Sequence, residues 1–444
     1  MINTVCYYLN LLEIWFKYLF DYLKVYNSLI SFSIMNIPCV KCKGSDHLCG
    51  RAFCPIYAKA ESLFKVGKNL GKENFFGASP APFVGRFDYP NVNVGILSPP
   101  EIKDDVWLYD APQFWANQNY DIHQVVDLRS SLVNSRITSN IKDHNKILEI
   151  SQEIGMSSKP VDIEINLEQK PKFRLNNDAY LAPTGPNAKL KSVRITENPK
   201  IHRKVDKAVS DTDLKANNAI LNLYSAGFDE NFLSKLLSVG TVGLKYNRKL
   251  VPTRWSITAT DDLISKDIIK DIKQFPEADY QAFFGSYLGN YYLILLFPEP
   301  WGFELFETYL PRASFNVSDE IQYTTDYESY TGRKDYTENC GGGYYACRLP
   351  VLEKLKNLKR QASVLVIRMI TGEYAVPLGV WVCREATRKS LSSKSIEFSD
   401  KELMLNYARL LVKKKFGHDI SKILDESVLL RNLKNQKKLA SFFT

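Results

Sequence analysis

Four cysteines crowd into sixteen residues of the sequence: Cys39, Cys42, Cys49 and Cys54, within CVKCKGSDHLCGRAFC. The first pair is two residues apart, a spacing that presents two thiolates from one tight turn, with Gly44 relieving the backbone. Four thiolates suit tetrahedral Zn²⁺ at about 2.3 Å per bond, in a closed shell that is structural. The expectation is a structural zinc held by these four side chains; a cluster of reduced thiols is the alternative. His47 could replace a sulfur but reads better as part of the loop. The other cysteines, Cys6, Cys340, Cys347 and Cys383, are scattered. Local clustering in a long chain favours a metal site in a reducing cytosol over a secreted disulfide framework.

A second chemical pattern closes the chain. In QKKLASFFT, Gln436, Leu439, Phe442 and Phe443 have the spacing Q-x-x-aliphatic-x-x-aromatic-aromatic. One helical turn stacks Leu439 and Phe442, and Phe443 adds a second ring. The three can order on entering a preformed pocket while Gln436 hydrogen bonds at its rim. This is the pattern of the box by which proteins bind the DNA sliding clamp, PCNA. The alternative is a last helical turn folded back on the protein's own core. From Lys401 to the end, ten Lys and Arg stand against four acids, and this surplus would steer the peptide towards an acidic partner.

Catalytic constellations are harder to find. Asp261, with Arg254 in LVPTRWSITATDD, and Glu304 in WGFELFE could contribute to phosphodiester chemistry through bound Mg²⁺. Arg86, in FVGRF before Tyr89 and Pro90, could cradle a phosphate with turn amides, or simply belong to a glycine-shaped hairpin. Arg129 completes the set whose convergence would mark an enzyme. No P-loop and no carboxylate–lysine nuclease pattern is present, and the plainer reading of these acids is helix capping and ion pairing. For DNA-backbone contact the first choice is the basic stretch 189–207, through Lys189, Lys191, Arg194, Lys200, Arg203 and Lys204. No recognition-helix signature is evident, so backbone or structure recognition is expected over base reading.

The elements that must position these groups follow from pattern. The composition, 45% hydrophobic and 24% charged with a net +9, is that of a globular protein and excludes a disordered one. Length allows two or three domains. FVGRF and VNVGIL read as short strands between Gly and Pro turns; 121–155 reads as helical and 157–180 as an irregular connection. Helix is expected over 208–240 and 351–361, and strands at YYLILLF (Tyr291–Phe297), VLVIRM and GVWVC. Ser399 and Glu402 have capping-box spacing for a helix to Phe416 that Gly417 stops, with another from about 419 to 435. In residues 1–34, Glu13, Lys17, Asp21 and Lys24 interrupt every apolar stretch, so none supplies the roughly 20 apolar residues of a membrane span. Met35 is the expected start and 1–34 an upstream extension outside the fold.

The whole chain resembles the archaeal Nre family of DNA repair proteins, closest to the NreA type. The resemblance runs from Met35 to the end. It rests on the cysteine cluster, FFGASPAPFVGRFDYPNVNVGILSPP, VDLRSSLV, NPKIHRKVDKAVSDTDLKAN, LVPTRWSITATDD, GGGYYACRLPVLEKL, VPLGVWVCRE and the terminal QKKLASFF. It implies a zinc finger at 35–60, an N-terminal Nre domain at 61–310, a C-terminal one at 311–416, and a basic helical tail at 417–444 that binds PCNA. The expected class is α+β in two domains. The expected role is DNA damage repair in the cytoplasm, at the nucleoid, with DNA as partner and no membrane. A DNA-processing enzyme on the same tether and a zinc-stabilised RNA-binding protein are the alternatives.

Overall fold

The apolar run YYLILLF can be buried on both sides only if its alternate side chains meet two different cores. The computed structural model, which describes residues 73–435 except 102, 172–183, 312, 314 and 317, shows that arrangement. The run lies in β8 (Asn290–Phe297). Tyr292, Ile294 and Leu296 enter one hydrophobic cluster; Leu293, Leu295 and Phe297 enter another. Around it are β7 (Tyr280–Tyr287), β9 (Gly302–Tyr309), β10 (Gln322–Glu328), β11 (Ser363–Ile370) and β12 (Ile396–Phe398). The sheet order is β10-β9-β11-β8-β7-β12, so β11 is inserted between β8 and β9. It runs antiparallel to β8 and parallel to β9.

A separate sheet is built from β1 (Asn74–Ser79), β2 (Ala81–Val84), β3 (Asn91–Ser98), β4 (Val133–Asn140), β5 (Val161–Leu167) and β6 (Asn187–Ile195), in the order β1-β5-β6-β4-β3-β2. Its two edge strands, β1 and β2, are separated only by Pro80. Two trans peptide steps reach about 7.6 Å, so the sheet must curl until its opposite edges meet at that proline. The crowding is visible at Gly77, where an added Cβ would lie 2.5 Å from the Pro99 carbonyl oxygen.

The helices are α1 (Pro112–Asn117), α2 (Ile122–Ser130), α3 (Lys146–Met156), α4 (Arg203–Ser210), α5 (Ala216–Ser225), α6 (Glu230–Ser238), α7 (Thr253–Ile272), α8 (Gly342–Leu358), α9 (Trp381–Ser392), α10 (Lys401–Phe416), α11 (Ser421–Glu426) and α12 (Val428–Asn435). Ile150 and Ile154 of α3 pack on the curled sheet. Ile264 and Ile268 of α7, Leu352 and Leu355 of α8 and Ala386 of α9 cover one face of the second sheet. Met404 and Val412 of α10, Ile423 of α11 and Leu429 of α12 cover the other. The class is mixed helix and sheet, as expected. The described residues fall in one contact unit, Tyr57–Thr444, and the boundary expected near Pro311 lies between β9 and β10, neighbours in one sheet.

Several local expectations are corrected. GVWVC is not a strand: Gly379 turns at φ 106° and Trp381 opens α9. A five-residue apolar run has no readable period. The helix expected from Val351 begins at Gly342 and carries Pro350 inside it. The connection at 157–180 contains β5, whose sequence VDIEINL alternates buried and half-buried. The region 121–155 is helical in α2 and α3 but also holds β4, while 208–240 is largely helical as expected, with Gly227 at φ 92° between α5 and α6. Ser399 does not cap α10. The Asp400 carboxylate accepts the Leu403 N–H at 2.9 Å, and Ser399 donates to Asp400. The segment from 417 onward is not an appendage over its described part, since Ile420, Ile423, Leu424 and Leu429 are buried.

Candidate nucleic-acid interface

Pro252 sets the start of α7, and Thr253 ties that start to the curled sheet. The Thr253 hydroxyl oxygen accepts the Val84 N–H at 2.9 Å and lies 3.1 Å from the Ser238 hydroxyl. This clamp holds the β2–β3 turn against the first turn of the helix. Tyr89 of the turn then lies 5.3 Å from Trp255, ring to ring. The guanidinium of Arg86 lies 5.0 Å from the Phe87 ring. Gly85 N–H donates to the Asn93 carbonyl at 2.7 Å, and a Cβ added at Gly85 would lie 3.3 Å from that oxygen.

The loop before α8 brings Tyr336 to the same helix end. Desolvation raises the Tyr336 phenol, and the Arg254 charge and a hydrogen bond with Thr258 draw it back. Asp326 fixes that loop by accepting the backbone N–H groups of Glu338, Asn339 and Cys340 at 3.0, 2.9 and 2.6 Å. Phe87, Tyr89, Trp255 and Tyr336 are 66%, 41%, 45% and 55% exposed, far above what rings of a core show. Arg254 is exposed and Arg86 half-buried. Among the described residues neither forms an ion pair with a carboxylate.

The acids singled out with these arginines have other duties. Asp261 is fully buried on α7 and bonds Arg384 of α9 at 2.7 and 2.5 Å. Burial pushes its carboxyl up to about 6 against the pull of that guanidinium. Glu230, also buried, meets Arg388 at 2.8 Å and Arg384 at 3.5 Å. Burial alone would raise it, but the two guanidiniums hold it down at about 2. Glu304 lies on the opposite face of the sheet. Its carboxylate accepts Ser427 Oγ at 2.5 Å and the N–H groups of Val428 and Leu429 at 3.0 Å each, at the start of α12. Arg129 pairs with Asp110 at 3.2 Å. The Tyr89–Trp255 contact thus joins the turn that carries Arg86 to the helix start that carries Arg254, while Arg129, Asp261 and Glu304 are committed to partners elsewhere. Among the described residues, one cleft of about 400 Å³ lies beside Trp107 and Lys235 and another beside Trp301 and Leu433, and none of the candidate catalytic residues lines either.

Lys189, Lys191, Arg194, Lys200, Arg203 and Lys204 are all exposed. Two are shared with acids: Lys189 with Glu168, just after β5, at 2.8 Å and Arg194 with Glu164 of β5 at 2.9 Å. Exposed pairs of this kind hold weakly and exchange partners readily. Cys39, Cys42, Cys49 and Cys54, residues 1–34, and Gln436, Leu439, Phe442 and Phe443 lie outside the described residues. Among the described residues no group of three or more His, Cys, Asp or Glu is placed to hold a metal, and no helix is long and apolar enough to cross a membrane. Sequence reasoning passed over Tyr336; its only signal is a lone ring among charges in GRKDYTEN.

A family model described as "Archaeal Nre, N-terminal" matches residues 48–316, and one described as "Archaeal Nre, C-terminal" matches 328–442. The protein named DNA repair protein NreA of Archaeoglobus fulgidus is 36% identical over 414 residues, 92% of this chain and 100% of the relative. DNA repair protein NreB of the same organism is 35% identical over 395 residues, 88% of this chain and 97% of the relative. DNA repair protein NreA of Haloferax volcanii is 36% identical over 333 residues, covering 73% and 79%. No solved structure matches.

Proposed function

We propose, from the premise that this chain belongs to the archaeal Nre family, that it serves DNA repair as a DNA-binding factor tethered to the sliding clamp. The observation that carries the reading is its likeness, along nearly its whole length, to relatives named DNA repair proteins. The exposed basic residues from Lys189 to Lys204 support a DNA partner, since each can displace counterions from a phosphate. The place of work is then the nucleoid, in the cytoplasm. No catalytic step is assigned, because Asp261 is committed to Arg384 and Glu304 to the start of α12.

The tether is the terminal peptide. Burying Leu439, Phe442 and Phe443 is worth roughly 5–9 kcal/mol gross, and ordering the peptide removes several kcal/mol of that. Affinity should be about micromolar at best. Calorimetry of the full chain with the clamp should show binding that Phe442→Ala with Phe443→Ala abolishes, without change in melting temperature. Retained binding would refute the tether; a destabilised body would assign the rings to the protein's own core. The zinc proposal rests on cysteine spacing. Elemental analysis should find about one zinc per chain, lost in Cys42→Ser, and a metal-free protein of full stability would refute it.

A further inference from the structure

The exposed rings at the start of α7 belong in sequence to neither the basic stretch nor the terminal peptide. They alternate with guanidiniums. Arg86 is against Phe87, Tyr89 is against Trp255, and Arg254 is next to Trp255 and acts on Tyr336. The first turn of α7 adds the positive end of a 20-residue helix that has no side-chain cap. The rings are held there by backbone ties, the Thr253 clamp on one side and the Asp326 anchor on the other.

We propose that this surface binds unpaired DNA, its rings stacking on exposed bases while Arg86 and Arg254 meet the phosphates. The inference rests on the DNA-repair reading above and names the form of DNA taken. The chemistry selects single strands. Within a duplex each base face is covered by its neighbours, so a protein ring has nothing to stack on unless a base is unpaired or turned out. A ring platform flanked by guanidiniums reads any base, because every base has a π-face, and such binding is sequence-tolerant. Asp88 and Asp335 stand beside Tyr89 and Tyr336 in sequence and are exposed. The patch is therefore not uniformly basic, and stacking must carry much of the affinity.

The test is fluorescence anisotropy of the full chain with a labelled single-stranded oligonucleotide, its duplex, and RNA of the same sequence. Trp255→Ala and Tyr89→Ala should each weaken single-strand binding by about ten- to hundredfold. Trp255→Phe, which keeps a ring, should retain most of it. Arg254→Ala should lower the dependence of log affinity on log salt by about 0.7. Melting temperatures should change little, because the two rings are 41% and 45% exposed and Arg254 is exposed. Single-strand binding that survives both ring substitutions overturns the proposal, as does preference for the duplex or for RNA. Loss of folding in Trp255→Ala together with normal binding in Trp255→Phe leaves Tyr89→Ala and Arg254→Ala to decide. The clamp calorimetry is an independent arm, so the tether can stand while this surface falls.

Discussion

Along α7 charged residues meet two opposite environments within a few turns. Arg254, in the first turn, is exposed beside an exposed tryptophan; Asp261, two turns on, is sealed against Arg384. At the first site a charge is free to meet a partner from outside. At the second, water has been removed and the charge is tolerated only because its counter-ion and hydrogen bonds are already in place. The lesson is that the type of a residue says little about its duty; what it is buried against says more.

The sharpest way to break this contrast is Arg384→Ala. It strands Asp261 and weakens the hold on Glu230, so chemical denaturation should show a loss of about 3–5 kcal/mol. A neutral result would mean the network is not where the stability lies. Acid titration of stability tests the same network from its other side. Glu230 is held near 2 against 4.5 ordinarily, so its contribution is complete above about 4.5 and is lost as pH falls towards 2. That loss is up to ~3 kcal/mol and should vanish in Glu230→Gln, which is less stable at neutral pH. Asp261 works in the opposite sense. Raised to about 6 from 3.8, it favours the folded state when protonated, and its contribution falls as pH rises across that window.

Smaller effects follow at less enclosed places. Glu304→Gln puts an amide donor among donors at the start of α12, and should cost about 1–3 kcal/mol in equilibrium unfolding. An unchanged midpoint would make the Glu304 contacts incidental. Smallest of all, Arg254→Ala should alter stability by no more than ~0.5 kcal/mol. A larger loss there would erase the distinction between the two ends of the contrast.

What the sequence made legible was local. YYLILLF, seven apolar residues in a row, reads as a doubly buried strand and is one, and Gly417 at φ 77° ends α10 as its position announced. VDIEINL is equally readable by its alternation, although the stretch 157–180 around it reads as an irregular connection. Partnerships across the chain were not readable. FVGRF and LVPTRWS each drew attention, but nothing in either says that Tyr89 and Trp255 will touch. The capping and pairing roles of Glu304 and Asp261 were readable as a class, while Ser427 and Arg384, more than a hundred residues away, were not nameable.

The insertion of β11 between β8 and β9 bears on how the chain is made. Synthesis proceeds at about 5–20 residues per second, so β8 and β9 emerge some seconds before the strand that joins them. During that interval their facing edges are open, and open apolar edges recruit other chains. A direct antiparallel hairpin between them, closed by the short turn from Pro298 to Trp301, would satisfy those edges and would have to reopen to admit β11. A nascent chain stopped near Pro311 would stay in that state. Residues 363–370 are thus the strand that covers the open edges of both β8 and β9, and the ribosome supplies them late.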